Sequence, residues 1–150
     1  MKQSLIGQLF IKAGWFPTLI FGVHLVVSFW DIYEAWAYTD MVMHTLGGMA
    51  IAFCFHRGIP VFREWFPLID FSEFVHYVLS FALTGCAAVD WEFCEFICDH
   101  IFHTRLQRGL NDTLSDMALG IAGGLAMLAL FCWLDLRKKQ KESFSRKNTL

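Results

Sequence analysis

With 150 residues of which 56% are hydrophobic and only 17% charged, the chain has too few polar side chains to cover a soluble all-helical domain, the chief rival to a membrane protein. Its mean hydropathy is +0.46. The net charge of −2 says less than its distribution, because six of the twelve basic residues (Arg137, Lys138, Lys139, Lys141, Arg146 and Lys147) follow the last apolar segment and make that tail cytoplasmic by the positive-inside rule.

Residues 3–12 place Leu5, Ile6, Leu9 and Phe10 on one helical face, which predicts a short interfacial helix leading into the bilayer. The apolar stretches 13–30, 41–55, 74–91 and 117–134 then approach the ~20 residues that a crossing needs. Ala35-Trp36-Ala37 resembles a signal-peptide cleavage site, but the apolar run before it exceeds a usual h-region, and acidic Asp31 and Glu34 intervene. Retention of the first helix is the expectation. In the first loop Trp30, Tyr33, Trp36 and Tyr38 suit the headgroup level, and Thr39 or Asp40 can cap the second helix. Residues 57–73 hold Pro60 and Pro67 around Phe62, Trp65 and Phe66, a pattern that predicts a loop lying along the cytoplasmic interface. Ser72 with Glu73 starts the third helix. Beyond Leu136 the chain is basic and expected to be poorly ordered, and its charge calls for no nucleic-acid partner.

The fold class that follows is all-α, a four-helix transmembrane bundle with a short interfacial N-terminal helix. Residues 1–136 form one transmembrane domain, and 137–150 form a basic cytoplasmic tail. Four crossings put both termini on the same, cytoplasmic side of the inner membrane. Lys2, Lys12, Arg57 and Arg63 agree, so ten of the twelve basic residues are inside, the exceptions being Arg105 and Arg108. Gly48-x-x-x-Ala52, Gly120-x-x-x-Gly124 and the Ala118, Ala122, Ala126 series allow close helix packing in lipid. The five cysteines form no C-x-x-C pair and read as small hydrophobes without a disulfide framework.

The same topology gathers nine of the fourteen acidic residues at the outer end of the bundle. Along a continuing third helix, Glu92, Glu95 and Asp99 share one stripe, His103 extends it, and Asp90 points away. Asp40 with His44, and Asp112 with Asp116, form i, i+4 pairs at the starts of the second and fourth helices. Two carboxylates ~4 Å apart repel by roughly 4 kcal/mol at an effective dielectric near 20. Something must neutralise the set: protons, Arg105 and Arg108, a histidine or a bound cation. A divalent metal ion such as Mn, Fe, Zn or Mg is the preferred one, because carboxylates mixed with imidazole suit it. The expected ligands are Asp40, His44, Glu92, Glu95, Asp99, Asp112 and Asp116. Asp40 and Asp112 also fit as plain helix caps, and Glu92 and Glu95 would face water if the third crossing ended near Trp91. His24 and His76 read as packing histidines.

Trp91-Glu92-x-x-Glu95-x-x-x-Asp99, then Asn111-Asp112-Thr113-x-x-Asp116 and a Gly-rich helix, with Asp40-x-x-x-His44-x-x-Gly47-Gly48 upstream, resemble the YjdF-like and VanZ-like small bacterial membrane proteins. In YjdF-like sequences an acidic residue often follows the last Asp by four; Gly120 stands there in this chain. The resemblance implies a membrane location, and through VanZ-like proteins, which are linked to glycopeptide resistance, the cell envelope. It implies no particular reaction.

Two function classes fit these residues. One is a metal-dependent site acting by hydrolysis or transfer on a lipid-linked or phosphorylated envelope substrate, with Arg105 and Arg108 holding an anionic group. The other is non-enzymatic, an ion- or proton-responsive element or a structural subunit packed against a membrane protein partner. Membrane lipids surround the chain in either case.

Overall fold

The computed structural model describes residues 4–36, 38–67 and 72–147. Among them every regular element is helical. The first crossing is built from α1 (Leu5–Leu9), a π-helical turn (Phe10–Gly14) and α2 (Trp15–Phe29). Ser4 caps α1, its hydroxyl accepting from Gly7 N at 3.2 Å. Asp31, in the left-handed region at φ 53°, turns the chain into the one-turn helix α3 (Ile32–Ala35). Three long helices follow: α4 (Thr39–Trp65), α5 (Glu73–Phe102) and α6 (Leu110–Lys147). Four helices are thus long and apolar enough to cross a bilayer.

The distribution of side chains is the inverse of a soluble domain's. Leu19, Phe21 and Leu25 are about half exposed on α2, while Ala52, Ser80 and Thr84 are fully buried. Small and hydroxyl-bearing residues inside, large apolar ones outside, is the arrangement that lipid rather than water selects.

Close packing centres on α4 and α6. A Cβ added to Gly48 would collide with the Gly120 carbonyl, and one added to Gly123 would collide with that of Thr45. The glycine series therefore packs as its spacing predicts, whereas Ala118, Ala122 and Ala126 are exposed on the other face of α6. Of the three long helices, only α4 approaches α2 backbone to backbone. Among the described residues no Cα of α2 lies within 8 Å of a Cα of α5 or α6.

Two expectations are corrected. Residues 57–65 continue α4 straight through Pro60 instead of forming a loop. Proline lacks the N–H that would bond the carbonyl four residues back, here His56, and His76 Nε2 occupies that carbonyl at 3.0 Å. A carbonyl only accepts, so Nε2 is the protonated nitrogen. The shorter connection that remains includes residues 68–71, which lie outside the described set. The basic tail is likewise helical to Lys147, built from good helix formers and tied back where Lys139 Nζ meets Glu73 Oε2 at 2.6 Å. Ser72 caps α5 as expected, accepting from Val75 N at 3.3 Å. All five cysteines are free.

Candidate metal centre

The helix starts and ends converge around one imidazole. Asp40 stands in the first turn of α4 without capping it, and its side chain turns instead to His44, Oδ1 lying 3.4 Å from Nε2. From α6, Asp116 Oδ2 approaches the same nitrogen at 3.9 Å. From α5, Glu92 Oε1 approaches the other nitrogen, Nδ1, at 3.8 Å. Glu95 completes that side, its donor atom lying with those of His44 and Glu92 within 4.8 Å of one another. Glu92 and Asp116 are each only 4% exposed.

Hydrogen bonding shows what is satisfied and what is not. Trp91 Nε1 donates to Glu95 Oε1 at 2.8 Å. Gln107 Nε2 donates to the Glu92 carbonyl at 3.0 Å and to Oε2 at 3.3 Å. Glu92 Oε1 is buried and has no hydrogen-bond partner. If His44 Nε2 carries the proton that faces Asp40, then Nδ1 presents a lone pair to this bare oxygen, and two acceptors confront each other.

The donors fit a metal ion. Two ligand atoms bound to one ion at 2.0–2.2 Å can be at most about 4.4 Å apart, and the 3.4, 3.8 and 3.9 Å separations fall within that reach. One imidazole with several carboxylates is a donor set for Mn, Fe or Zn more than for a soft-ligand metal.

The remaining expected residues are placed elsewhere. Asp99 organises the loop after α5, accepting from Thr104 Oγ1 at 2.6 Å, Leu106 N at 2.8 Å and Gln107 N at 3.0 Å. Its position seven residues beyond Glu92 puts it about 10 Å further along the axis, on the same face but not at the same depth. Asp112 accepts from Arg108 N at 3.1 Å, again within the loop. Neither belongs to the two groups of donors, which are Asp40, His44, Asp116 and His44, Glu92, Glu95. His103 ends α5 in the left-handed region at φ 54°, and Asp90 is exposed as its spacing predicts. Arg105 and Arg108 line the mouth, with Arg108 Nη1 4.0 Å from Asp40 Oδ2.

Residues 7–137 match the model of a family described as "Predicted membrane protein (DUF2238)". The chain belongs to that family. The YjdF-like part of the resemblance is consistent with this membership. No curated protein and no solved structure matches the chain.

In this DUF2238 protein four residues at the site were not among the expected ligands: His24, read as a packing histidine, Tyr33, read as a headgroup aromatic, Trp91, quoted only in the family motif, and Gln107. Trp91 precedes Glu95 by one helical turn, a spacing that could have identified the pair. Tyr33 bonds His24 Nδ1 at 2.7 Å, and burial, with Asp40 and Glu95 nearby, pushes its phenol up to about 12. Tyr33 is turned inward to this contact and lines the cleft rather than facing a headgroup layer. Below these residues opens a cleft of about 340 Å³, polar at its mouth and apolar along Pro17, Ile20, Phe21 and Ile51.

Proposed function

We propose that this protein binds a divalent metal ion through His44, Glu92 and Glu95, with Asp40 and Asp116 on the opposite nitrogen of the same imidazole. The observation that carries the reading is the buried Glu92 Oε1, which has no partner and lies 3.8 Å from His44 Nδ1. A buried charged oxygen without a hydrogen bond is costly, and a cation between two acceptors removes that cost. Asp40, facing Nε2, orients the ring in the manner of a carboxylate behind a metal-binding histidine. The Asp40, His44, Asp116 group is the alternative position for the ion, on Nε2, since a neutral imidazole offers one lone pair and holds one ion at a time. Asp99 and Asp112 act as positioning residues that fold the loop and deliver Gln107 to Glu92.

When bound, a divalent ion supplies Lewis acidity toward a phosphoryl or carbonyl oxygen. The chain's own contribution is to hold the site at the mouth of an apolar cleft and to set Arg105 and Arg108 beside it for an anionic group. The basic residues at the opposite end of the bundle support a site that faces away from the cytoplasm. The VanZ-like resemblance supports an envelope substrate.

Metal analysis of detergent-purified protein tests the reading. Wild type and Asp99→Ala are expected to carry metal, whereas His44→Ala and the near-isosteric Glu92→Gln lose most of it. Negligible metal in wild type, or equal metal in all four proteins, would sink the proposal. A wild type that is metal-free and always accompanied by a stoichiometric membrane protein would favour the non-enzymatic subunit instead.

A further inference from the structure

We infer that the cleft takes a phosphate-bearing lipid from the surrounding bilayer, and that the lipid enters sideways between α2 and α5. The inference rests on the proposed metal site only for the neutralisation of its carboxylates.

Three observations carry it. The first is the gap. Helices α2 and α5 both line the cleft, yet none of their Cα atoms approach within 8 Å of each other. Side chains bridge the separation: Trp91 meets His24 edge-on with ring centroids 5.3 Å apart, and Phe21 edge-on at 6.4 Å. A seam closed by aromatic rings, with no packed backbone behind them, opens by rotamer changes of Trp91 and Phe21 rather than by separating helices. In the bilayer such a seam faces lipid.

The second is the division of the cleft wall. Toward the middle of the bundle it is formed by Pro17 and Ile20 on one side and by Thr84, Ala87 and Ala88 on the other. Small residues on α5 leave an apolar track. Among the described residues lining it, the Thr84 hydroxyl already donates to Ser80 O at 2.8 Å. The track therefore offers an occupant no free hydrogen-bond donor, which suits a hydrocarbon chain better than a sugar.

The third is charge. Arg105 and Arg108 stand at the mouth beside Asp31, Glu34 and Asp40; Arg108 reaches only a distant 4.0 Å contact with Asp40, and Arg105 makes no ion pair among the described residues, so neither guanidinium is tied up by these carboxylates. Two guanidinium groups above an apolar track complement a head that is anionic and attached to a chain. A membrane phospholipid or lipid phosphate has this form, and its head already lies at the depth of Trp91 and the loop.

Native mass spectrometry of the detergent-solubilised protein tests the inference, with dioleoyl phosphatidic acid as the probe and dioleoylglycerol, which lacks the phosphate, as the control. Phosphatidic acid is expected to bind one to one, and the diacylglycerol at least about tenfold more weakly. Combined Arg105→Ala and Arg108→Ala should cost about tenfold or more, the loss of charge-assisted bonds. Ala87→Phe, which fills the track without touching the mouth, should abolish binding of the probe while leaving metal content and melting temperature near wild type. Equal binding of both lipids, or unchanged binding in Ala87→Phe, would overturn the inference. The metal content of the same samples separates the two readings. Metal without lipid refutes the lipid site alone, and lipid without metal refutes the metal site alone.

Discussion

Glu92→Gln gives the sharpest test, because metal should shrink or invert its effect. In wild type the donor oxygens of Glu92 and Glu95 lie within 4.8 Å. Two charged carboxylates at that distance repel by about 3.5 kcal/mol at an effective dielectric near 20. Glutamine keeps the shape and can still accept from Gln107, but it removes the charge. Without metal, Glu92→Gln should therefore be more stable than wild type, by up to about 3.5 kcal/mol.

With metal at a hundredfold excess over its dissociation constant, wild type gains about 2.7 kcal/mol by mass action. For a chain of this size that is a rise of roughly 5–11 °C in melting temperature. The variant should gain little, so the order of stability narrows or reverses. Thermal unfolding in detergent, followed by circular dichroism in chelator and then across a manganese or zinc titration, measures both limits. If Glu92→Gln melts below wild type in chelator, the carboxylate is already satisfied by the protein. If metal raises both proteins equally, Glu92 is not a ligand. Either result refutes the assignment.

Other consequences can be checked separately. His76→Phe removes the bond from Nε2 to the His56 carbonyl and should cost about 1–3 kcal/mol, whereas adding Pro60→Ala, which supplies the missing N–H, should restore most of it; unfolding of the single and double variants in mixed detergent measures the rescue. Gly48→Ala drives a methyl into the Gly120 carbonyl and should destabilise by about 1–3 kcal/mol or more, while Ala118→Leu, on an exposed face, should stay within about 0.5 kcal/mol. For Tyr33, whose phenol is raised from 10.0 to about 12, the folded state holds its proton more tightly than the unfolded state does. The stability this contributes is complete below pH 10 and is lost as pH rises toward 12. Difference absorbance between wild type and Tyr33→Phe should place the ionisation near the upper value; a midpoint at the ordinary one would refute burial as its cause.

The crossings were legible because length and apolar content are properties of a segment by itself. Their ends were not, because what decides an end lies elsewhere in the chain. Pro60 breaks a helix only if the carbonyl four residues back is left bare, and the partner that prevents this, His76, sits on the next helix. Lys139 and Glu73, which hold the basic end of α6 to the start of α5, are separated by 66 residues and share no local pattern. For the site, the i, i+4 spacing placed Asp40 beside His44, since turns of a helix stack regardless of what surrounds them, whereas the same spacing of Asp112 and Asp116 did not bring Asp112 into the group. Periodicity gave Asp99 the right face but could not give its depth. Gln107 lies in an irregular loop, where sequence spacing carries no geometric information at all.

One stripe of α4 ties the packing to the chemistry. Asp40, His44, Gly48, Ala52 and His56 follow one another at intervals of four, so a single face carries the proposed ligands Asp40 and His44 at one end, the packed His56 at the other and minimal side chains between them. Gly48, one turn beyond His44, meets Gly120, one turn beyond Asp116, and Gly123 meets the carbonyl of Thr45 beside His44. Backbones that close cannot slide without collision, so the contact fixes how far Asp116 stands from the imidazole. Helix α5 answers with His76, Ser80, Thr84, Ala88 and Glu92 at the same interval. There the hydroxyls of Ser80 and Thr84 satisfy carbonyls of their own helix and leave the interface small and dry. The glycines and buried hydroxyls thus do for this site what a rigid scaffold does for a soluble one: they fix the separations at which the carboxylates and the imidazole meet, the separations at which the proposed cation would bind.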